Sequence, residues 1–293
     1  MRDSPYNPYA LRDLQKNNEG VSGPLTGKKK LNLWEYIQRR LNTRTELIVE
    51  HLDYELSFIS PPIGPYNYIT TGKYIEQKGL CKPTAAETIS LFYKAYQTGE
   101  REFKEVREIL KNKGPFLWDF LPYFLPSPLP FLTLIFPSYK GYCWLWMFNG
   151  NLYVPKGKSG YSNGVFIEDD PAVIRKKIPM AQSELIEKLE SGDESVRFVP
   201  FGFKMGELTA PEVAKHPYII ALAGEEGAEK LAEIVEKYFK EFYLAIPRNF
   251  DTEIVRVCAL RAGGRKVYLC SDCFGLPHFG YVFGIDKMTG QEQ

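Results

Sequence analysis

A long apolar run, residues 116–136, forces the first choice between a membrane-spanning and a globular fold. Four of its residues are prolines, which remove backbone donors that a lipid-exposed helix must keep paired. Asp119 would also carry its charge into the lipid. We therefore predict a covered loop and no membrane span. If the run is exposed instead, it is typical of an interface, either for homo-oligomeric assembly or for a partner.

The composition is that of an ordinary globular protein. Of the 293 residues, 44% are hydrophobic and 25% are charged, so we expect the chain to fold without a cofactor holding it together. The 37 basic and 36 acidic side chains nearly cancel, which removes the overall positive field that nucleic-acid binders use. We therefore expect no nucleic-acid partner. A net charge this close to zero permits self-association without requiring it.

The N-terminal residues predict a flexible arm and a cytoplasmic location. Residues 1–30 combine prolines, glycines and a lysine run with too few spaced apolar residues to bury a face. They also lack the unbroken apolar stretch of a signal peptide. Five cysteines are too few for a disulfide framework in a chain of this length and fit a reducing compartment. Residues 31–293 are then predicted to form a single α+β domain.

Helices are predicted from apolar spacing and from capping residues. Apolar residues recur at helical spacing over residues 31–55, which predicts an amphipathic helix or a broken pair of helices. Thr84 and Glu87 form a capping box, in which each side chain pairs with the backbone amide of the other. Further helices are predicted over residues 100–113, 182–190, 211–215 and 225–242.

Strands are predicted where one type of side chain alternates with another. Over residues 142–154, the aromatic residues Trp144, Trp146 and Phe148 alternate with Cys143, Leu145 and Met147. Asn149-Gly150 then predicts a type I′ turn that would fold this stretch into a hairpin. A second hairpin is predicted around Gly263-Gly264. Other strands are predicted over residues 164–167, 253–260, 266–270 and 280–285. Helices together with mostly antiparallel strands predict the α+β class.

The C-terminal cysteines form the pattern in the sequence that is most typical of a metal site. Cys270 and Cys273 have the spacing at which two thiolates share one tetrahedral zinc or copper ion, and His278 follows closely. Cys258, one strand earlier, is the natural fourth ligand. A two-residue turn at Gly263-Gly264 would place Cys258 and Cys270 on opposite faces, whereas a β-bulge would align them. The alternative is that these thiols bind no cofactor and are simply buried or exposed.

No residue is assigned to catalysis. His51 and His216 stand apart from other ligand types, so a structural hydrogen bond is the expected role for each. Residues 218–226 suggest a strand, a glycine turn and a phosphate-binding helix start, but the glycine spacing is not that of a dinucleotide fingerprint. Glu225 and Glu226 would repel an anion there, and as first-turn acids they explain the helix start better.

Two segments match the motifs of a known family in order and approximate placement. Residues 74–87, ending in Cys-Lys-Pro-Thr-Ala-Ala-Glu, look like a G-K-R-L-P-T-E-A-E helix entry. Residues 255–264, then 268–270 and then 280–284 look like closing V-R-G-G-S, C and G-F-R strands. Together they resemble the C-type-lectin-like fold in its formylglycine-generating-enzyme-like branch. The resemblance covers roughly a fifth of the chain.

The resemblance implies two kinds of function. The family includes a copper-dependent oxidase with two reactive cysteines near the closing strands, and Cys270 and Cys273 fall roughly there with a shorter spacing. It also includes many non-enzymatic binding proteins, among them variable proteins diversified by retroelements. For a binding protein, the resemblance implies a ligand surface on the final strands and loop. The residues implied are Tyr268, Ser271, Asp272, Phe274, His278 and Tyr281.

Three hypotheses follow from these patterns. The leading one is a non-enzymatic protein that binds a protein or a small ligand through residues 268–281. The second is a metal-dependent enzyme that uses Cys270 and Cys273 with copper or zinc. The third is an assembly component that makes its contact through residues 116–136.

Overall fold

The computed structural model describes residues 44–111, 144–155, 161, 163–169, 182–247, 254–273 and 280–286. The predicted arm over residues 1–30, the domain boundary at residue 31 and the apolar run 116–136 lie outside these ranges. Within the described ranges, no helix combines the length and the apolar character needed to cross a membrane.

The described part begins with a two-stranded antiparallel sheet, strand β1 (Thr45–His51) and strand β2 (Tyr54–Ser60), which we call the hairpin arm. This corrects the helix predicted over residues 31–55 for the part that is described. Leu47, Val49 and His51 are buried while the residues between them are exposed, which is the period of two of a strand. The β-branched residues in this stretch favour a strand as well.

Among the described residues, the larger sheet has nine strands, seven of which follow the order β3-β11-β4-β9-β10-β8-β7. Strand β5 pairs with β4 and β6 beside this path. Most pairs are antiparallel, but β8 runs parallel to β10, and β11 runs parallel to β4. The bounds are β3 Ile63–Tyr66, β4 Trp144–Val154, β5 Gly164–Glu168, β6 Val196–Pro200, β7 Gly206–Leu208, β8 Glu241–Ala245, β9 Ile254–Gly263, β10 Lys266–Cys273 and β11 Gly280–Val282.

The predicted hairpin at Asn149-Gly150 is wrong, because β4 continues through these residues as one strand. Its register against β9 shifts between Met147 and Leu152, so the dipeptide lies in a β-bulge. Gly150 has a positive φ of 80°, and its amide donates to Asp169 at 3.2 Å. Asn149 accepts a hydrogen bond from the amide of Ala85. Contacts on both sides therefore hold the bulge within the sheet.

The hairpin formed by β9 and β10 turns one residue later than predicted. Lys266 pairs with Gly263, so the two turn residues are Gly264 and Arg265. Gly264 supplies the positive φ, 60°, that such a turn requires. The register places Cys270 opposite Ala259.

The helices are α1 Tyr68–Gln77, α2 Ala85–Gln97, α3 Lys104–Leu110, α4 Gln182–Glu190, α5 Ala210–Ala214 and α6 Pro217–Ile234, followed by a π-helical turn, Val235–Phe239. The capping box of α2 is confirmed, with the Glu87 amide 3.2 Å from Thr84 Oγ1 and the Thr84 amide 2.6 Å from Glu87 Oε2. Helix α4 has the bounds that the sequence predicts.

Helix α6 differs from the prediction at both ends. It begins before residue 225 and bends at Gly224, where φ is 75° and ψ is 172°. It is complete before Phe242, because Lys240 adopts the left-handed conformation and the chain then enters β8. The acids after Gly224 therefore begin the second half of a kinked helix.

The two faces of the larger sheet are covered differently. One face, which we call the covered face, packs against α2, α6 and the inner side of the hairpin arm. The other, which we call the second face, is packed by α1 at the Trp146 and Val257 end. A third, smaller cluster lies under α4 and includes Phe166 and Leu185. Helices against a mixed, mostly antiparallel sheet confirm the α+β class.

Candidate binding face

The second face carries a row of aromatic and cationic side chains beyond the part that α1 covers. Tyr268 on β10 pairs with Arg261 on β9 and with Tyr243 on β8. The guanidinium carbon of Arg261 lies 5.0 Å from the ring centroid of Tyr268 and 5.8 Å from that of Trp144. The rings of Tyr243 and Tyr268 have centroids 6.0 Å apart. We call Trp144, Arg261, Tyr268 and Tyr243 the aromatic row.

Burial decreases along the aromatic row from β4 to β8. Trp144 is buried beside α1, and Arg261 and Tyr268 are half-buried. Tyr243 is exposed over 38% of its surface. Guanidinium over an aromatic face is attractive because the ring has a negative face. The row therefore presents organised aromatic surface to solvent at its β8 end.

Charged side chains flank the exposed end of the row. Lys266 lies 2.7 Å from Glu207 and 3.1 Å from Glu241, and its ammonium lies 5.8 Å from the Tyr243 ring centroid. The hydrogen bond from Lys266 lowers the pKa of Glu207, and the hydrogen bonds to Glu207 and Glu241 raise the pKa of Lys266. The exposed end of the row thus carries an ion-paired cluster of both signs.

Only one of the predicted ligand residues with a described side chain lies on this face. Tyr268 belongs to the aromatic row. Ser271 is fully buried and Tyr281 is 6% exposed, so neither side chain matches the predicted solvent-reachable surface. Ser271 points to the covered face because it follows Cys270 by one residue, and Tyr281 lies on β11 inside the sheet. The side chain of Asp272 lies outside the described part, as do Phe274 and His278.

Ser271 instead joins a buried chain of hydrogen bonds. The Tyr218 hydroxyl lies 2.6 Å from Ser271 Oγ, and the Ser271 hydroxyl donates to Cys258 Sγ at 3.3 Å. Burial raises the pKa of the Tyr218 hydroxyl well above its usual value and raises the pKa of the Cys258 thiol to about 12. A thiol with this pKa is unreactive at neutral pH. The chain is therefore structural.

The register separates two of the four predicted metal ligands. Because Cys270 pairs with Ala259, Cys258 points to the covered face while Cys270 lies on the second face. Among the residues that the structure describes, no group of three or more His, Cys, Asp or Glu side chains is placed to hold a metal ion. The side chain of Cys273 and all of His278 lie outside that part. A zinc or copper site that uses them stays a prediction.

Sequence reasoning missed Arg261, Tyr243 and Trp144 as site residues. Trp144 was placed on a predicted strand without a role, and Arg261 lay one residue beyond the strand predicted over residues 253–260. Tyr243 lay one residue beyond the helix predicted over residues 225–242 and was assigned to no element. In the structure Phe242, Tyr243 and Leu244 are buried, exposed and buried, but the sequence shows three apolar or aromatic residues in a row and so gives no clear signal.

Comparison with known proteins assigns neither a family nor a function. No protein-family model matches the chain, and no curated protein matches it. Among solved structures, it is similar to one described as the accommodation of massive sequence variation in Nanoarchaeota by the C-type lectin fold. The two are 16% identical with a TM-score of 0.45, over 84% of this chain and 99% of that chain. A similarity at this level assigns no ligand, activity or family branch.

Proposed function

We propose that the protein is a non-enzymatic binding protein that recognises a partner protein through the aromatic row. The observation that carries this proposal is the stacking of Arg261 against two rings, in line with the exposed Tyr243. Tyrosine, tryptophan and arginine are the residues enriched at binding hot spots. They supply a large contact area from side chains that are already ordered.

Charge and burial support a protein partner over other ligand classes. Lys266 with Glu207 and Glu241 gives the exposed end of the row a mixed polar rim. A rim of both signs around an aromatic centre is typical of protein interfaces. Nucleic acids are bound through unpaired positive charge, whereas Lys266 here is paired with two carboxylates.

A capture experiment with matched variants tests the proposal. The immobilised full chain is exposed to an extract of its source cells, and bound proteins are quantified by mass spectrometry. Tyr243→Ser and Tyr268→Ser should each reduce retention of a specific partner by at least about tenfold, since hot-spot residues contribute more than 1.4 kcal/mol. Tyr238→Ser is the matched control, because Tyr238 is 43% exposed and lies on the π-helical turn, away from the row.

The outcome is decided by the contrast between the variants. A protein held equally by the wild-type chain and all three variants would show that the aromatic row is not the site. Circular dichroism of each variant separates loss of binding from loss of fold.

A further inference from the structure

The tip of the hairpin arm, residues 50–55, meets two helices at a single hydroxyl group. His51 ends β1 and is 6% exposed. Its Nδ1 atom lies 2.9 Å from Oγ of Ser90 on α2. The same Oγ accepts a hydrogen bond from Nζ of Lys230 on α6 at 3.0 Å. Three elements of the fold are therefore joined at the buried Ser90 side chain.

The hydrogen bonds available to the Ser90 hydroxyl favour the neutral form of the His51 side chain. A serine hydroxyl has one proton to donate and two lone pairs that accept. The Lys230 ammonium takes one lone pair, which leaves the Ser90 proton for Nδ1 of a neutral imidazole. If His51 gains a proton, Nδ1 becomes a donor and the Ser90 proton must turn elsewhere. Two cations would then share one oxygen atom.

The other groups around His51 do not reverse this preference. Burial has the largest effect and holds the pKa of His51 below its usual value of 6.5, while Glu87, the next largest effect, raises it. Lys230 lowers this pKa and Glu226 raises it. The remaining titratable or charged groups at the tip are Glu50, which lies 4.0 Å from Lys94 on α2, its cross-strand partner Glu55, Asp53, and Tyr54, whose ring centroid is 5.3 Å from that of His51.

Glu226 keeps its charge while His51 titrates. Its carboxylate lies 2.5 Å from Nζ of Lys230 and accepts a hydrogen bond from the backbone amide of Leu52. The hydrogen bond from Lys230 lowers the pKa of Glu226. Between neutral and mildly acidic pH, the change of charge at the tip therefore comes from His51.

Little apolar burial holds the tip beyond these polar contacts. Leu52 is 64% exposed, and Tyr54 is exposed as well. The base of the arm is held independently, since Leu47 and Phe58 are buried and the Ile59 amide donates to the Gly284 carbonyl at 2.8 Å. A segment with few buried apolar contacts opens locally at low cost.

We propose that His51, Ser90 and Lys230 form an acid-sensitive latch, in which protonation of His51 releases the tip of the hairpin arm while its base stays in place. In the released tip, His51 is in water and regains its ordinary affinity for protons. The released state then binds more protons than the latched state, so acid favours release. The latch holds above about pH 6.5 and weakens below it, by up to about tenfold in the opening constant per pH unit.

Hydrogen exchange of the full chain between pH 7.5 and 5.0 tests the latch. After correction for intrinsic exchange rates, protection of residues 50–55 should fall by up to about tenfold per pH unit below pH 6.5. The tip should be less protected than β9 at every pH, because the tip opens locally while β9 is exposed only by more extensive unfolding. The chain has three histidines, so NMR can follow each imidazole, and His51 should titrate below 6.5.

Variants assign the effect to the latch residues. His51→Gln can accept the Ser90 proton and cannot be charged, so protection of its tip should not depend on pH. Ser90→Ala should open the tip already at pH 7.5, and Lys230→Gln should make the pH dependence shallower. His216→Gln is the matched control, because His216 is also buried with a lowered pKa but lies at the start of α6.

Two results would overturn the proposal. One is constant protection of the wild-type tip from pH 7.5 to 5.0. The other is a pH dependence of the tip that persists in His51→Gln.

Discussion

Strand β8 shows how differently the two faces of one sheet are buried. Phe242 points to the covered face and is fully buried, while its neighbour Tyr243 points to the second face and is 38% exposed. Strand β10 repeats the pattern, since Leu269 is fully buried on the covered face and Tyr268 belongs to the aromatic row. Adjacent residues therefore differ in burial, because successive side chains of a strand point to opposite faces of the sheet. Along these strands the covered face is buried, while the second face leaves at its β8 end the surface that we propose for recognition.

The comparison is tested most strongly by truncating each of the two neighbours on β8. Phe242→Ala should lower the free energy of unfolding by about 3–5 kcal/mol, because it removes a buried ring and leaves a cavity. Tyr243→Ala should lower it by less than about 1 kcal/mol, as expected of a surface position. Urea unfolding followed by circular dichroism measures both. Equal losses would contradict the assignment of the two faces.

Thiol labelling compares the faces chemically. In the native chain at pH 8, Cys258 should react more slowly than in urea by orders of magnitude, since its thiol is fully buried and burial raises its pKa to about 12. Mass spectrometry of digested protein reads each cysteine separately. Rapid native labelling of Cys258 would show that the covered face opens to solvent.

Breaking the buried chain of hydrogen bonds at Ser271 should have an intermediate effect on the free energy of unfolding. Ser271→Ala leaves the Tyr218 hydroxyl without its partner, so we expect a loss of about 1–3 kcal/mol in the free energy of unfolding. Adding Tyr218→Phe removes the stranded hydroxyl and should recover part of that loss. If the double variant shows the full sum of the two single losses, the two side chains are not coupled.

The smallest expected effect is the loss of folding stability in acid through His216. Burial lowers the pKa of His216, whose Nε2 donates to the Lys204 carbonyl at 2.7 Å. Its neutral form is favoured by folding, so its contribution is present above pH 6.5 and is lost as the pH falls. Between pH 7 and 5, stability should fall by less than about 1.4 kcal/mol per pH unit through this residue. A His216→Gln variant should show a shallower slope in urea titrations at the same pH values.

Local signals in the sequence predicted local structure well. The capping box of Thr84 and Glu87 and the bounds of α4 depend on neighbouring residues only, and both are confirmed. The hairpin arm was mistaken for a helix because Ile48, Leu52 and Leu56 have helical spacing, while Leu47 and Val49 alternate. Where both periods are present, burial against the helices decides, and the sequence does not show it.

The candidate site depended on information from distant residues. The sequence identified Tyr268 but grouped it with Ser271 and Tyr281, which are buried. Which side of β10 is covered depends on α2 and α6, and the position of Tyr281 depends on where β11 enters the sheet. Arg261 becomes a site residue only when Trp144, more than a hundred positions away, lies beside it. None of these relations appears in a local pattern.

The place of β11 has a consequence for how the chain reaches its native state. Residues 280–282 lie between β3 and β4, so residues 63–66 can join the sheet only after the end of the described chain has arrived. Pairing over such a sequence separation is slow, because a long loop must close before any contact forms. During synthesis, β3 therefore stays unpaired until β11 has been made. A chain truncated before residue 280 would lack β11, so β3 could not pair with the sheet.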